Sequence, residues 1–253
     1  MHADLTSKTV FVTGSSSGLG FEIAKFFQSC GANILLNGRD LPKLKLAAET
    51  LNGTDYFQGD LSIEKECLTI FENIRNKHGK IDHLICNVGS GKSVAPGKET
   101  LKEWRKAFDL NFWSAINSVH FLSSLLEVNQ NSSITCVSSI CGIERIEGAP
   151  ITYSVAKSAL NSFINSYAPV LAERGIRLNA VVPGNLMFEN SSWEKKLSEN
   201  SKDVESMLNK EVPLKRFGSG EEVSKAIAFL ASKNADFVTG SLWKIDGGQV
   251  KTF

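Results

Sequence analysis

The sequence predicts a single α/β domain in which a doubly wound parallel β-sheet carries helices on both faces. Short runs rich in β-branched and aliphatic residues alternate with helical patterns along the whole chain, as expected when parallel strands are joined by crossover helices. The chain has 253 residues, 42% of them hydrophobic, which suffices for one sizeable core.

Seven segments have the composition of buried strands. They are residues 8–13, 32–37, 54–58, 80–86, 133–137, 177–182 and 241–245. The clearest helices are predicted over residues 21–30, 62–78, 100–128, 151–173 and 219–232. A polar segment at about residues 185–210 is predicted to be a helical insertion within one domain of residues 1–253. Such insertions over strand ends usually form lids or substrate loops, and the alternative is a surface excursion.

Composition excludes several classes of function. With 28 basic and 27 acidic residues the net charge is +1, which gives no electrostatic basis for binding nucleic acid or a membrane surface. No apolar run approaches the roughly 18 residues of a membrane span, and the N-terminus lacks the apolar core of a signal peptide, so we expect a cytoplasmic protein. The five cysteines form no CxxC motif and suit a reducing compartment, and the four histidines have no metal-ligand spacing.

A glycine-rich turn follows the first predicted strand and leads directly into the first helix. From Gly14 to Gly20 its sequence is GSSSGLG. Glycines permit a tight turn and a close approach of a pyrophosphate, and the helix N-terminus offers free N–H groups and the positive end of a dipole. The turn predicts a dinucleotide-binding Rossmann fold, and the alternative is an ordinary Gly/Ser connection.

The end of the second strand bears on the type of cofactor. Its sequence is Asn37-Gly38-Arg39-Asp40. NAD-dependent proteins place an acidic residue here for the ribose 2′-hydroxyl, whereas a nearby arginine accommodates the 2′-phosphate of NADP. Gly38 occupies the acidic position and Arg39 follows it, which favours NADP(H). The alternative, compatible with the first, is a solvated Arg39 beside an Asp40 that caps the next helix.

Tyr153 and Lys157 stand four residues apart in a predicted helix and therefore share one of its faces. A phenol with its ordinary pKa of about 10 is a poor acid or base near neutral pH. An adjacent ammonium is expected to lower that pKa and make the pair a proton-transfer device, and a solvated face is the alternative.

Other candidate groups directly follow predicted strands, whose carboxyl ends meet at one edge of a parallel sheet. These groups are Gly14–Gly20, Arg39, Asp60 and Asn87–Gly89.

Taken together, the motifs resemble those of the classical short-chain dehydrogenase/reductases from Thr13 to Gly248. The matching segments are TGSSSGLG (13–20), CNVG (86–89), Asn111, Ser139, YSVAK (153–157), NAVVPG (179–184) and DGG (246–248). The resemblance implies a single-domain Rossmann fold with a parallel seven-stranded sheet and a hydride-transferring oxidoreductase that acts on CH–OH or C=O groups.

The resemblance also implies a catalytic tetrad. Asn111 would hold a water in the proton relay, and Ser139 would hydrogen-bond the substrate oxygen. Tyr153 would be the general acid/base, and Lys157 would lower its pKa and bind the nicotinamide ribose. Ser139 is preferred to Ser138 because Ser139-Ile-Cys-Gly142 resembles the Ser-x-x-Gly of the family.

The same resemblance implies a site for NADP(H), with NAD(H) as the alternative. Asp60 is expected to contact the adenine, and Asn87 and Gly89 the adenosine ribose. Ser17 stands where many NADP-dependent members have a basic residue, so Arg39 is the main support for NADP(H). The expected cofactor-binding residues are Gly14, Ser16, Ser17, Gly18, Leu19, Gly20, Arg39, Asp60, Leu61, Asn87, Gly89, Tyr153, Lys157, Pro183, Gly184 and Leu186.

The substrate is expected to be a small carbonyl or alcohol. Residues 183–197, residues 213–218 and the C-terminal end resemble 3-oxoacyl-[acyl-carrier-protein] reductases and, equally, reductases encoded among bacterial surface-sugar genes. The insertion is polar, with Glu189, Asn190, Lys195 and Lys196, which mildly favours a polar substrate. The alternatives are an NAD(P)-dependent sugar or nucleotide-sugar oxidoreductase and a catalytically silent dinucleotide-binding protein.

Two helices with extensive apolar surface predict a homo-oligomer, which we expect to be a tetramer or else a dimer. A helix on a sheet needs one apolar stripe, and a second apolar face usually marks a contact. The helix over 100–128 has apolar residues on more than one side, and in the family subunits pair through this helix and the one over 151–173. The residues concerned are Trp104, Phe108, Phe112, Trp113, Ile116, Phe121, Leu122, Leu125, Leu126, Leu160, Phe163, Ile164 and Tyr167.

Overall fold

Parallel strands form the centre of the protein in a computed structural model that describes residues 5–128, 131–189 and 191–251. The strands in these residues are β1 (Thr9–Val12), β2 (Asn33–Gly38), β3 (Asp55–Gln58), β4 (His83–Cys86), β5 (Ser133–Val137), β6 (Arg177–Pro183), β7 (Leu186–Met187), β8 (Gly218–Ser219) and β9 (Leu242–Ile245). Seven of them form one sheet in the order β3-β2-β1-β4-β5-β6-β9, and every pairing is parallel. β7 and β8 form a separate parallel pair. The predicted seven-stranded parallel sheet is confirmed.

Helices cover the sheet, and several begin where the sequence predicts a cap. They are α1 (Gly18–Ser29), α2 (Leu41–Thr50), α3 (Glu64–His78), α4 (Leu101–Phe108), α5 (Ser114–Leu122), α6 (Ile151–Ala172), α7 (Ser192–Glu199), α8 (Ser201–Glu211) and α9 (Gly220–Ala231). Asp40 accepts the N–H of Lys43 at the start of α2, as predicted. Ser219 and Glu222 form a reciprocal capping box at the start of α9.

The stretch 100–128, which the sequence predicts as one long helix, is divided into shorter pieces. After α4 the chain makes a π-helical turn over Asp109–Trp113, continues as α5 and ends with a 3₁₀ turn over Ser123–Leu125. Asn111 lies in the π-helical turn, and its Nδ2 donates to the carbonyl of Ala107 at 3.1 Å, a side-chain bond that competes with the regular helical ladder. At the end of this stretch the carbonyl of Leu125 accepts the N–H of Ile81, from the segment before β4, at 3.0 Å.

Two apolar clusters lie on opposite faces of the sheet, so the prediction of helices on both faces is confirmed. Alternation along β1 shows this directly. Phe11 belongs to the cluster covered by α3, α5 and α6, whereas Val10 and Val12 belong to the cluster covered by α1, α2 and α9. We call the second of these the α1/α9 core.

The predicted insertion contains α7 and α8, which we call the lid. It has a small apolar cluster of its own, made of Val204, Leu208 and Val212 with Trp193, Met207 and Phe217 against them. The short β7–β8 pair joins the two ends of the lid to the rest of the protein. Asn190, one of the polar residues noted in the sequence, lies outside the described residues.

No helix in the described ranges is long and apolar enough to cross a membrane. The same ranges contain no group of three or more His, Cys, Asp or Glu side chains that could hold a metal ion.

Candidate active site

The predicted site residues lie at the carboxyl edge of the sheet. Arg39 directly follows β2, Asn87 follows β4 and Ser139 comes two residues after β5. The helix α6 carries Tyr153 and Lys157, and it packs against β6 and against the turn that follows Ser139. The parallel arrangement therefore brings residues that are far apart in sequence to one cleft.

The glycine-rich turn lies between β1 and the N-terminus of α1. Gly18, the first residue of α1, has a φ of +58°, a backbone conformation that a side chain would strain. Ser17 precedes it as the N-cap residue, and no side chain bonds the first N–H groups of the helix from that position. The turn and the helix N-terminus together fit a pyrophosphate, since they supply N–H groups and a positive dipole end.

Asn87 holds this turn in place. Its Nδ2 donates to the carbonyls of Thr13 at 3.0 Å and Gly14 at 3.2 Å. Its backbone N–H donates to the Thr13 hydroxyl at 2.9 Å. The sequence leads us to expect an adenosine contact from Asn87, but both donors of its amide are engaged within the protein.

The other expected cofactor-binding residues lie around the cleft. Ser16 lies against the end of β2, with its Oγ 2.9 Å from the position that a Cβ on Gly38 would take. The side chains of Leu19, Leu61 and Leu186 belong to the apolar clusters or pack against them. Pro183 ends β6, Gly184 follows it and donates its N–H to the carbonyl of Ile245, and Gly20 is buried in α1.

Ser139 and Tyr153 form the centre of the site. Ser139 is buried and lies within hydrogen-bonding reach of the Tyr153 hydroxyl. Its Oγ also accepts the N–H of Cys141 at 3.2 Å. The neighbouring Ser138 instead donates to Oδ1 of Asn161 at 2.6 Å. The geometry thus favours Ser139 over Ser138 as the serine that meets a substrate oxygen.

Lys157 is buried below Tyr153. Its Nζ donates to the carbonyl of Val137 at 2.8 Å and lies 6.0 Å from the centroid of the Tyr153 ring. Burial lowers the pKa of Lys157 from 10.5 to about 8.

The expectation of a lowered pKa for Tyr153 is wrong. Burial raises the pKa of Tyr153 from 10.0 to about 12, and the hydrogen bond from Ser139 offsets only part of this effect. The reason is that the low-dielectric surroundings disfavour the phenolate, while the ammonium points to a carbonyl rather than to the phenol.

Asn111 fastens the loop after β4 rather than presenting a free amide to the cleft. Its Oδ1 accepts the N–H of Ser90 at 2.8 Å, and its Nδ2 donates to the carbonyls of Ser90 at 3.2 Å and Ala107 at 3.1 Å. Gly89 allows the close approach, because a Cβ there would lie 2.9 Å from Asn111 Oδ1 and 3.2 Å from Lys157 Nζ. The side chain of Asn111 therefore positions the cleft wall beside Lys157.

Arg39 and Asp60 form an ion pair at the outer end of the cleft. Arg39 Nη1 lies 3.0 Å from Asp60 Oδ2, and the Arg39 side chain is 65% exposed. Asp60 Oδ1 also accepts the N–H (2.9 Å) and the hydroxyl (2.7 Å) of Ser62. These bonds outweigh the effect of burial and lower the pKa of Asp60, so its carboxylate, expected to contact the adenine, already has several partners.

Residues 14–249, which include the whole of this cleft, match the model of the family described as enoyl-(acyl carrier protein) reductase. The chain belongs to the short-chain dehydrogenase/reductase family. It is accordingly an NAD(P)-dependent oxidoreductase that interconverts an alcohol and a carbonyl group.

Known members of the family resemble this dehydrogenase/reductase along its whole length. A 3-oxoacyl-[acyl-carrier-protein] reductase from Thermotoga maritima is 31% identical, with 97% of this chain and 99% of the relative covered. Glucose 1-dehydrogenase 2 from Bacillus subtilis is 28% identical, with 98% and 96% covered. The structure of L-sorbose reductase from Gluconobacter frateurii, complexed with NADPH and L-sorbose, has a TM-score of 0.91 at 28% identity and covers all of both chains.

Several contacts of this dehydrogenase/reductase were not predictable from its motifs. Lys157 is held by the backbone carbonyl of Val137, and a motif of side chains does not identify a backbone partner. Ser90 belongs to no motif that would predict its hydrogen bonds with Asn111. Cys86, which stands where the family has asparagine, is buried beside Cys136 in the adjacent strand. Because residue 86 has a thiol in place of an amide, the side chain that fastens the glycine-rich turn is that of Asn87, the next residue of the motif.

Proposed function

We propose that this enzyme is an NADPH-dependent carbonyl reductase in which Tyr153 is the general acid. The observation that carries the proposal is the contact between the Ser139 and Tyr153 hydroxyls above a buried Lys157, at the edge of the sheet where the glycine-rich turn also lies. A pair of hydroxyls can bind one carbonyl oxygen, and the hydroxyl of Tyr153 carries the proton that this oxygen must receive.

The roles of the residues follow from this arrangement. The nicotinamide cofactor supplies the hydride. Ser139 binds the substrate oxygen and stabilises its developing negative charge, and Tyr153 donates its proton to that oxygen. Lys157, whose Nζ lies 6.0 Å from the centroid of the Tyr153 ring, favours the phenolate that remains and would bind the nicotinamide ribose. Asn111 fastens the loop after β4 through its bonds to Ser90, and in this role it would hold a water of the relay that returns the proton from solvent.

The proposed preference for NADPH rests on Gly38 and Arg39. Gly38, which has no side chain, occupies the position where an acidic residue would meet a ribose 2′-hydroxyl, and the exposed guanidinium of Arg39 can bind a 2′-phosphate. Two related structures carry NADPH: L-sorbose reductase, and a short-chain oxidoreductase from Pseudomonas aeruginosa that is 26% identical with a TM-score of 0.89.

For the substrate, we propose a 3-oxoacyl thioester, as in the acyl-carrier-protein reductases that this chain resembles at about 30% identity. A sugar or nucleotide-sugar carbonyl is the second candidate. It is favoured by the lid, which we propose contacts the substrate, because none of the residues of α7 is buried and the helix offers mainly polar and charged side chains. The similarity to glucose 1-dehydrogenase 2 and L-sorbose reductase points the same way. A silent binding protein is disfavoured because all four residues of the proposed tetrad are present.

We further propose a homo-oligomer, most simply a tetramer, in the cytoplasm. Trp113 in the π-helical turn and Val155 in α6 are 46% and 41% exposed, which supports a contact through these elements. Five of the apolar residues predicted to mediate the contact are instead buried in the core of the chain, because one side of each helix packs on the sheet. They are Leu122, Leu125, Leu126, Leu160 and Ile164. All five cysteines are free thiols, as expected in a reducing compartment.

The proposed chemistry is tested by replacing Tyr153 with phenylalanine. Purified protein is assayed with NADPH against a carbonyl panel that includes acyl thioesters and nucleotide sugars. We expect Tyr153→Phe to lower kcat by a factor of about 10² to 10⁴, because only the transferable proton is lost, and to leave the cofactor Kd nearly unchanged. Tyr167→Phe is the matched control, since Tyr167 lies on the same helix but stacks on Phe163 at 5.0 Å. Near-wild-type turnover by Tyr153→Phe would refute the assignment.

A further inference from the structure

The turn that follows Ser139 is short and gains apolar support from the last residues of the chain. Ser139 is the N-cap of a three-residue 3₁₀ turn, Ile140–Gly142, which we call the serine turn. Turns of this kind have poor hydrogen-bond geometry, so their position depends on what they pack against. Ile140 is 2% exposed and lies in a small cluster with Val182 and Val250, separate from the two main cores. The residue bonded to Ser139 is therefore held in a cluster that Val250 completes.

The other end of the serine turn is held by α6. The carbonyl of Gly142 accepts the hydroxyl of Ser158 at 2.9 Å and Nδ2 of Asn161 at 3.1 Å. A Cβ on Gly142 would lie 2.7 Å from the carbonyl carbon of Lys157, so this end of the turn rests directly on the helix. These contacts fix the last residue of the turn, whereas Ile140, next to the catalytic serine, rests on the apolar cluster.

Val250 belongs to a segment that is fastened by hydrogen bonds at both of its ends. We call residues 246–251, which follow β9, the C-terminal strap. The Asp246 carboxylate accepts the N–H of Val250 at 2.9 Å, and the N–H of Lys251 donates to Oε2 of Glu144 at 3.0 Å. The last residues of a chain are usually poorly ordered unless something ties them down. The strap is tied, and its bond to Glu144 lies two residues beyond the serine turn.

We propose that the C-terminal strap positions Ser139 for the substrate oxygen, with Val250 as the positioning residue. This inference rests on the proposed role of Ser139 in the reaction. The side chain of Val250 bears no polar atom, so it acts by packing alone. It fills the space beside Ile140 and thereby keeps the serine turn in place. The Ser139 hydroxyl then stays where it and the Tyr153 hydroxyl can bind one oxygen together.

A double-mutant cycle tests whether Val250 acts through Ser139. The rate of NADPH oxidation in a single turnover is measured with acetoacetyl-coenzyme A and, separately, with L-sorbose, for wild type, Val250→Ala, Ser139→Ala and the double variant. We expect Val250→Ala to lower this rate about 3- to 10-fold, because a misplacement of about 1 Å costs roughly 100-fold and the loss of two methyl groups should shift the turn by less. In the double variant, Val250→Ala should add nothing to the effect of Ser139→Ala.

The reactivity of Cys141 reports the position of the serine turn without any substrate. Cys141 lies in this turn, is partly buried and packs against the same cluster as Val250. Its alkylation by iodoacetamide is followed by mass spectrometry, with Cys30, a partly buried thiol at the end of α1, as the internal reference. Val250→Ala should speed the alkylation of Cys141 severalfold and leave that of Cys30 unchanged, because a turn that opens more often exposes its thiol.

Val10→Ala is the matched control, and Val250→Ile is the conservative variant. Val10 is fully buried in the α1/α9 core, near the end of β1 that lies away from the cleft. Val10→Ala should lower the melting temperature at least as much as Val250→Ala does, without changing the single-turnover rate or the alkylation of Cys141. Val250→Ile should bring both quantities back towards their wild-type values, because it refills the space beside Ile140.

An effect of Val250→Ala that persists in full without the Ser139 hydroxyl would overturn the proposal, because Val250 would then act on another part of the site. Unchanged alkylation of Cys141 in Val250→Ala, or the same increase in Val10→Ala, would also overturn it. If Val250→Ala does not fold, Glu144→Ala, which removes the exposed bond to the strap, should produce the same two changes more weakly. Failure of the wild type to reduce any carbonyl compound would instead overturn the proposed function, and the alkylation of Cys141 would still decide whether the strap holds the turn.

Discussion

Removal of the Arg39 guanidinium should change the choice of cofactor by an amount that can be worked out from its surroundings. In the structure Arg39 pairs with Asp60 at 3.0 Å, and the arginine side chain is 65% exposed. A charge-assisted hydrogen bond to a phosphate contributes about 1.5–3 kcal/mol, and giving up an exposed ion pair costs about 0–1 kcal/mol. The net preference for the 2′-phosphate should therefore be about 1–2 kcal/mol, or roughly 5- to 30-fold in Kd.

The assay compares the Kd and KM of NADPH and NADH in wild type and Arg39→Ala. NADPH should weaken by that factor, whereas NADH, which lacks the 2′-phosphate, should change little. Lys43→Ala serves as the control, because Lys43 is another exposed cation beside the same strand end and pairs with Asp40 at 3.5 Å. Equal changes for the two cofactors, or an equal effect of Lys43→Ala, would show that Arg39 is only a solvated partner of Asp60.

Three further expectations concern the serine pair, the assembly and the acid stability. Ser139→Ala should lower kcat by about 10-fold or more by removing a donor to the substrate oxygen, whereas Ser138→Ala should mainly lower the melting temperature because its partner is Asn161. Light scattering on dilute protein should give a mass that is a multiple of 27.6 kDa. A mass equal to the monomer would refute the oligomer and show that the apolar helix faces only pack within one chain. Burial lowers the pKa of His83 from 6.5 to about 4, so between these pH values the unfolded chain binds a proton that the folded protein does not. The free energy of unfolding should therefore fall by up to about 3 kcal/mol as the pH drops from 6.5 to 4. Urea titrations should show that the free energy of unfolding of His83→Gln falls less over this range.

The strands and the cleft were predictable because their signals are local. Each strand is a short apolar run between turn residues, and parallel pairing then forces the groups after the strands to one edge. The contacts of single side chains were not predictable in this way. Asn111 is marked in the sequence only as one of the family's motif residues, and its bonds to Ser90 depend on how a loop 21 residues away is placed. The π-helical turn around it is likewise absent from the sequence prediction, which gives one continuous helix over residues 100–128.

The ionisation of the site shows the same division between local pattern and three-dimensional surroundings. The spacing of Tyr153 and Lys157 correctly indicates a shared helix face, yet spacing contains no information about dielectric. Both side chains are buried, and burial favours the neutral form of each. It raises the pKa of Tyr153 to about 12 and lowers the pKa of Lys157 to about 8.

This outcome bears on the direction in which the site is prepared to work. With a pKa of about 12, Tyr153 is protonated at neutral pH, so its hydroxyl holds the proton that reduction delivers to a carbonyl oxygen. Oxidation of an alcohol needs the phenolate, which burial disfavours until a further positive charge lies close to the phenol.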